Sequence, residues 1–208
     1  GISFTEALLN NGANVVICAR REKELQQMAK KLDSSGHRVI PVRADVTVQD
    51  DVERLFQEVN RIFNRLDILV NNAGIVIRGT AEDTTISDWR KTQEVNLDAV
   101  FMGTRAAIGA MKPSGGSIIN ISSIEGLVGE ATAAAYNASK GGVRIFTKSA
   151  ALHCASQNYR IRVNSIHPGF IKTPMIDNAL ATMPSDEVEA LLLRMENEIP
   201  LGSMGDPE

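Results

Sequence analysis

Apolar residues recur along this chain at two periods that alternate with each other. Spacings of three and four residues, typical of a helix with one buried face, connect Val52, Leu55, Phe56 and Val59. Short apolar runs such as residues 13–18, typical of buried strands, lie between the helical stretches. Strands that alternate with helices of this length predict strand–helix–strand units, and hence an α/β fold with a doubly wound parallel sheet.

The predicted elements follow one another with short connections. Helices are predicted near residues 2–11, 21–36, 48–64, 87–111 and 133–157. Strands are predicted near residues 13–19, 37–43, 66–74, 116–122 and 160–167. Gly36 is expected to end the second helix, and Thr47 to cap the third.

Residues 174–203 differ from the rest of the chain, because they contain Pro, Met and short amphipathic stretches. One interpretation is a lid that covers a substrate pocket, since lids are drawn from the less stable parts of a fold. The other is an ordinary surface helix. Four apolar side chains would close a lid or join the core: Met175, Ile176, Leu180 and Met183.

Length and composition favour a single globular domain over residues 1–208. The chain has 208 residues, of which 43% are hydrophobic and 23% charged. No run approaches the about 20 apolar residues that span a bilayer, so we expect no membrane partner. A net charge of -3, with basic and acidic residues interspersed, argues against a nucleic-acid partner.

The cysteines and histidines are too scattered to predict a disulfide or a metal site. Cys18 and Cys154 lie far apart, which favours a reducing, cytoplasmic location. The histidines, at 37, 153 and 167, lack the spacing of zinc ligands and are interpreted as surface or packing residues. We therefore expect no metal.

The stretch "YNASK" carries the first chemical signal. Tyr136 and Lys140 are four residues apart on a predicted helix, so their side chains share one face. An ammonium group beside a phenol is expected to lower the pKa of the phenol and make it a proton donor or acceptor near neutral pH. Taken alone, the same pair is typical of a solvated helical surface.

Other polar residues precede this pair at places where ligands bind. Ser123 follows a predicted strand, at the edge where open α/β sheets bind ligands. Asn96 lies inside a predicted helix, although its amide side chain disfavours helix. The segment "NNAG", residues 71–74, ends another strand in a turn that allows close backbone approach.

With these residues in this order, the chain resembles the short-chain dehydrogenase/reductase family along nearly its whole length. The matching marks are Gly1, "NNAG", Asn96, Ser123, "YNASK" and, at residues 167–174, "HPGFIKTP". Stretches such as "SSIEGLVG" and "AYNASKGGVRI" are more closely similar to bacterial secondary alcohol dehydrogenases and ketone reductases of that family. The resemblance implies a Rossmann-type sheet.

The resemblance also bears on the ends of the chain. It implies that Gly1 is the last glycine of a TGxxxGxG turn, at the start of a helix that faces the cofactor pyrophosphate. It further implies a central strand before Gly1, and a final helix and strand after residue 208. We expect the present residues to lack these elements and to leave strand edges unpaired.

The resemblance implies NADP(H) as the preferred cofactor, with NAD(H) as the alternative. The end of the second family strand, acidic in enzymes that prefer NAD, is here Ala19, followed by Arg20 and Arg21. A guanidinium can bind a ribose 2'-phosphate through two hydrogen bonds, so Arg20 is the expected ligand. The other implied cofactor contacts are Gly1, Asp45, Val46, Asn72, Ala73, Gly74, Tyr136, Lys140, Pro168, Gly169, Ile171 and Thr173.

By the same resemblance, four residues form the catalytic set. Tyr136 exchanges a proton with the substrate oxygen, Ser123 holds that oxygen, and Lys140 lowers the pKa of the tyrosine and binds the nicotinamide ribose. Asn96 would hold a water that relays protons to solvent. Glu125 and Phe170 are expected near the substrate, although Glu125 could equally be a loop carboxylate that faces water.

Three functions compete, and the first is favoured: an oxidoreductase that interconverts small ketones and secondary alcohols. The alternatives are a 3-oxoacyl-carrier-protein reductase, which would need a basic surface near the pocket, and a non-catalytic NADP(H) sensor or scaffold. The resemblance implies a homotetramer assembled through the helices near 87–111 and 133–157. Small residues such as Ala106, Ala107 and Ala110 would permit close helix contact there.

Overall fold

The computed structural model describes residues 1–181 and 185–207, and within them helices and strands alternate as the pattern predicts. The strands are β1 (Val15–Ala19), β2 (Val39–Arg43), β3 (Ile68–Asn71), β4 (Gly116–Ile121) and β5 (Ile161–Ile166). The helices are α1 (Ile2–Asn10), α2 (Glu22–Leu32), α3 (Gln49–Phe63), α4 (Ile86–Gln93), α5 (Ala99–Met111), α6 (Ala134–Ser156), α7 (Pro174–Leu180) and α8 (Ser185–Glu198). The predicted α/β class is confirmed.

The strands pair only in parallel, in two groups. β1 pairs with β2, with Val15 opposite Val39. β4 lies between β3 and β5, with Ile68 opposite Ser117 and Gly116 opposite Ile161. All five strands therefore carry their carboxyl ends toward one edge of their sheet, which is the edge where the candidate residues lie.

A cavity of about 1000 Å³ separates the two groups of strands. Its walls include all of β1 and all of β3, together with residues of α2, α3 and α5. Within the described residues, the facing edges of these two strands have no ladder partner.

The main hydrophobic core lies between the sheet of β3–β5 and the helices α5 and α6. Its fully buried members include Met111, Ile118 and Cys154. Ala107, which the sequence suggested for helix contact between subunits, has no exposed surface and packs in this core. Ala110, by contrast, is exposed.

The long helix predicted over 87–111 is interrupted. α4 passes into a π-helical turn, Glu94–Asp98, before α5 begins. Asn96 lies inside this turn, fully buried, and its amide makes tertiary hydrogen bonds described below. A π-turn adds a residue to the helical repeat and frequently occurs at functional sites.

The predicted N-cap of α3 is wrong. Val48 is the N-cap, and the Thr47 hydroxyl donates a hydrogen bond to Asp45 instead, at 2.7 Å.

The C-terminal segment is fixed to the loop after β5. The Lys172 amide donates to the Gly205 carbonyl at 2.9 Å, and the Gly205 amide donates to the Phe170 carbonyl at 3.0 Å. α7 and α8 lie between these two anchor points. Met183, which the sequence offered as a lid or core residue, lies outside the described residues. None of the helices in the described ranges has the length and apolar character needed to cross a membrane.

Candidate active site

The first turns of α6 bring Tyr136 and Lys140 together in a buried position. Their exposed fractions are 9% and 4%, and the Lys140 Nζ lies 5.6 Å from the centre of the tyrosine ring. The same Nζ donates a hydrogen bond to the Ile121 carbonyl at 2.8 Å, at the end of β4. A solvated helical pair would not be buried in this way, so this interpretation is wrong.

Ser123 meets this pair from the loop after β4. Its hydroxyl accepts a hydrogen bond from the Glu125 amide at 3.1 Å and is hydrogen-bonded to the Tyr136 hydroxyl. The second bond lowers the pKa of the tyrosine, as expected when the serine donates to the phenol oxygen. The serine and tyrosine hydroxyls are therefore close together, which suits the binding of a single substrate oxygen atom.

Burial opposes the ionisation expected from the sequence. It raises the pKa of Tyr136 above its usual value, and the nearby Glu125 raises it further. Burial also lowers the pKa of Lys140 to about 8. In the protein alone, the tyrosine is therefore a neutral proton donor at neutral pH, and the expected lowering of its pKa by the lysine is not found.

Asn96 fixes the π-turn against the loop after β3. Its Oδ1 accepts from the Ile75 amide at 2.8 Å, and its Nδ2 donates to the Ile75 carbonyl at 2.9 Å. Nδ2 also donates to the Ser139 hydroxyl at 3.1 Å, which in turn donates to the Tyr136 carbonyl at 2.7 Å. A hydrogen-bonded path thus connects Asn96 to the backbone of the tyrosine.

Gly74 lies between Asn96 and Lys140. A Cβ at this position would stand 3.4 Å from the Asn96 Oδ1 and 3.5 Å from the Lys140 Nζ. Any longer side chain would enter the space between these groups. The glycine therefore keeps the space beside the lysine open.

A buried polar network holds α6 in register with the strands. The Asn71 Nδ2 donates to the Asn120 Oδ1 at 2.8 Å, and the Asn120 Nδ2 donates to the Thr147 hydroxyl at 3.0 Å. Asn71 and Asn120 are direct neighbours on β3 and β4, and Thr147 is on α6. The network therefore connects the helix that carries Tyr136 to the strand that precedes Ser123.

The structure brings seven of the predicted cofactor residues to the walls of one cavity. These are Gly1, Arg20, Asp45, Val46, Asn72, Ala73 and Gly74. Most of the cavity lies between the sheets, and it reaches the catalytic candidates only at Gly74. Gly1 lies against Asn72, since a Cβ on the glycine would be 3.3 Å from the Asn72 Nδ2.

Asp45 keeps its charge although it is partly buried. Burial raises the pKa of its carboxyl group, but the hydrogen bonds from Thr47 and the positive charge of Arg20 together outweigh burial, so the pKa is lowered.

The remaining candidates lie in two loops beside Ser123. The Ile124 amide donates to the Pro168 carbonyl at 2.9 Å, which joins the loop after β4 to the loop after β5. Gly169 and the half-buried Phe170, Ile171 and Thr173 follow in the second loop. Glu125 is half-buried and near enough to Tyr136 to affect its pKa.

Two residues near the site were missed in the sequence. His167, interpreted as a surface or packing residue, hydrogen-bonds the Ser123 carbonyl from its Nδ1, at 3.0 Å. In the sequence, the signal that could have identified His167 as a site residue is its position directly before Pro168. Arg43 lies directly opposite Ala19 in the β1–β2 register, which places a further cation near Arg20. That proximity depends on strand pairing, which the sequence does not display.

Among the described residues, no group of three or more His, Cys, Asp and Glu side chains could hold a metal ion.

Comparison with known proteins gives one consistent result. A family model for short chain dehydrogenases matches residues 1–184. An NADP-dependent (R)-specific alcohol dehydrogenase of Lentilactobacillus kefiri is 42% identical over 210 residues, covering 100% of this chain and 80% of the relative. A trans-4-hydroxycyclohexanecarboxylate dehydrogenase of Sinomonas cyclohexanicum is 45% identical over 181 residues, 84% of this chain and 69% of the relative. A 3-beta-hydroxysteroid dehydrogenase of Comamonas testosteroni is 39% identical over 188 residues, 90% of this chain and 73% of the relative.

Proposed function

Because the chain belongs to the short-chain dehydrogenase family and is an oxidoreductase, we propose that it interconverts ketones and secondary alcohols with NADP(H) as the hydride carrier. The observation that carries the proposal is the pair of hydroxyls, Ser123 and Tyr136, held together beside the buried Lys140. Two neighbouring hydroxyls suit a carbonyl oxygen, which accepts two hydrogen bonds.

Tyr136 acts as the proton donor in reduction. A nicotinamide held by the residues named above would supply the hydride, with its two electrons, that the carbonyl carbon needs. Tyr136 gives its hydroxyl proton to the carbonyl oxygen. The raised pKa keeps the tyrosine protonated before this step. In alcohol oxidation the proton passes back to the phenolate oxygen.

Ser123, Lys140 and Asn96 support this transfer. Ser123 donates to the substrate oxygen and so fixes the carbonyl carbon for attack. Lys140 binds the nicotinamide ribose, and its ammonium stabilises the phenolate left after proton transfer. Asn96 holds the π-turn in place, and a water bound there would relay the proton to solvent.

The cofactor residues proposed above support NADP(H) in preference to NAD(H). The L. kefiri relative is described as NADP-dependent. In the present chain, Ala19 at the end of β1 carries no acidic group to repel a 2'-phosphate, and Arg20 follows it at the cavity wall. The start of α1 at Gly1 offers unpaired amides for the pyrophosphate.

The substrate is proposed to be apolar around its carbonyl group. Three apolar side chains near Ser123 are exposed, namely Ile124 at 41%, Leu127 at 50% and Val128 at 58%. The relatives are named for alcohols on cyclic and steroid carbon skeletons. Phe170 is proposed as a further apolar wall and Glu125 as a polar group at the edge of this pocket, and α7 and α8 as its cover.

The decisive experiment follows the loss of NADPH absorbance with a panel of alkyl, cyclic and aryl ketones, with NADH in parallel. We expect turnover with NADPH and a loss of kcat of about 1000-fold or more in Tyr136→Phe. As a matched control, Tyr159→Phe, in the loop between α6 and β5, should keep full activity. If NADPH binds but no ketone is reduced, or if Tyr136→Phe is active, the proposal is wrong.

We further propose that the enzyme assembles as a homotetramer through the outer faces of α5 and α6. Phe101, Ile145 and Leu152 are 45%, 60% and 72% exposed there. Ile145 and Leu152 are seven residues apart and so share one face of α6. The single domain and the cytoplasmic location stay predictions from the sequence.

A further inference from the structure

His167 connects the end of β5 to the residue that carries the catalytic serine hydroxyl. Its Nδ1 lies 3.0 Å from the Ser123 carbonyl oxygen, and its Nε2 lies 2.9 Å from the Ser165 hydroxyl. Ser123 is buried, whereas His167 and Ser165 are half-buried. The imidazole therefore bridges the loop after β4 and the last residues of β5 with both ring nitrogens engaged.

The chemistry of the two partners fixes the direction of both hydrogen bonds. A carbonyl oxygen can only accept, so Nδ1 must carry a proton and donate it to Ser123. In the neutral imidazole Nε2 then carries none, and it accepts the hydroxyl proton of Ser165. The bridge thus selects one tautomer of His167.

Backbone hydrogen bonds also join the two segments on either side of Ser123. The Ser122 amide donates to the Ile166 carbonyl at 2.8 Å, and the Ile124 amide donates to the Pro168 carbonyl at 2.9 Å. Pro168 has no N–H and cannot donate in return. The imidazole next to it supplies a donor, and that donor reaches the carbonyl of Ser123 itself.

We propose that His167 is a positioning residue for Ser123, an inference that rests on the catalytic role proposed for that serine. The Nδ1–H bond to the Ser123 carbonyl fixes the backbone of the serine relative to the loop that begins at Pro168. The orientation of the serine hydroxyl toward Tyr136 depends on this backbone. His167 acts through Ser123 and does not touch the reacting atoms.

Two substitutions separate the roles of the two ring nitrogens. Asn places its amide nitrogen near the position of Nδ1, so His167→Asn should keep kcat within about 3-fold of the wild type. Gln places its amide nitrogen near the position of Nε2, so His167→Gln should lower kcat by about 10- to 100-fold with little change in KM for the ketone. His153→Asn, at the exposed end of α6, is the matched control and should be unaffected.

A spectroscopic measurement tests the bridge without reference to activity. The chain has three histidines, so long-range ¹⁵N–¹H spectra of the NADP⁺-bound enzyme at pH 8.5 can be assigned by comparison with His167→Asn. We expect His167 as the Nδ1–H tautomer. The Nε2–H tautomer would overturn the proposal.

The outcomes distinguish this inference from the proposed function. If the wild type reduces ketones but His167→Gln matches His167→Asn in kcat, the positioning role is wrong and the proposed function stands. If the wild type reduces no ketone, the proposed function is wrong. The positioning role, which depends on it, is then wrong as well, and the tautomer reports only on the bridge itself.

Discussion

Lys140 keeps its ammonium group inside the protein, 4% exposed and bonded to the Ile121 carbonyl. Burial lowers its pKa from 10.5 to about 8. Between these values the unfolded lysine holds a proton that the folded lysine releases, so the free energy of unfolding rises with pH in this range. The buried charge therefore costs stability in full below pH 8, and the cost is lost progressively above it.

Removing this charge should change the dependence of stability on pH. From pH 8 to pH 9.5 the wild type should gain about 2 kcal/mol of unfolding free energy that Lys140→Met does not gain, at about 1.4 kcal/mol per pH unit. Urea unfolding of both proteins at several pH values measures the difference. The exposed lysine variant Lys148→Met should follow the wild type. Parallel curves for wild type and Lys140→Met would contradict the lowered pKa.

A single residue at the end of β1 should control the choice of cofactor. Ala19→Asp places a carboxylate where we propose that the 2'-phosphate binds, and close like charges repel by several kcal/mol. We expect kcat/KM for NADPH to fall about 100-fold and the preference to change to NADH. Steady-state kinetics with both cofactors measure this. Lys23→Gln, on the exposed face of α2, changes the net charge by the same single unit and should leave the preference unaltered.

At the scale of elements, most helices and strands were predictable because their signals are local. The apolar spacing of α3 and the apolar run of β4 depend on neighbours in the sequence. The π-turn was not predictable, because the partners that hold Asn96 are Ile75 and Ser139, which are 21 and 43 residues away. The sequence showed only that Asn96, a residue type that disfavours helix, lies inside a predicted helix.

The π-turn should depend on the Asn96 side chain for its stability. Asn96→Ala leaves the amide and carbonyl of Ile75 without their partner, and we expect a loss of about 3 kcal/mol in unfolding free energy. Urea denaturation measures it. Asn60→Ala on the exposed face of α3 is the control and should change stability by less than about 0.5 kcal/mol. Equal stability of the two variants would show that the turn forms without the amide.

At the scale of the whole molecule, the outer faces of α5 and α6 carry the exposed apolar side chains Phe101, Ile145 and Leu152. Clusters of exposed apolar side chains are typical of interaction surfaces. The Phe101 ring on α5 meets the Phe146 ring on α6 edge-on, with centroids 5.9 Å apart, so the two helices are in contact beside this face. A second copy of the chain, with the same surface, is the partner that we propose for it.

Leu152→Asp should dissociate the assembly, since a carboxylate would be buried without a partner. Light scattering coupled to size-exclusion chromatography should show a mass smaller than that of the wild-type tetramer. Leu201→Asp, at a 91% exposed position outside this face, should keep the wild-type mass. A monomeric wild type would refute the homotetramer, and a tetrameric Leu152→Asp would exclude this face as the interface.

The sequence by itself determined the parallel α/β fold, because that fold is written in local apolar spacing, and its motifs gave the candidate catalytic residues through their resemblance to the family. The tertiary structure alone decided how those residues ionise, since burial raises the pKa of Tyr136 and lowers that of Lys140 in spite of their helical proximity. It also decided that His167 contacts Ser123, 44 residues away. Burial and contacts between distant segments arise only when strands and helices pack, and a linear pattern contains neither.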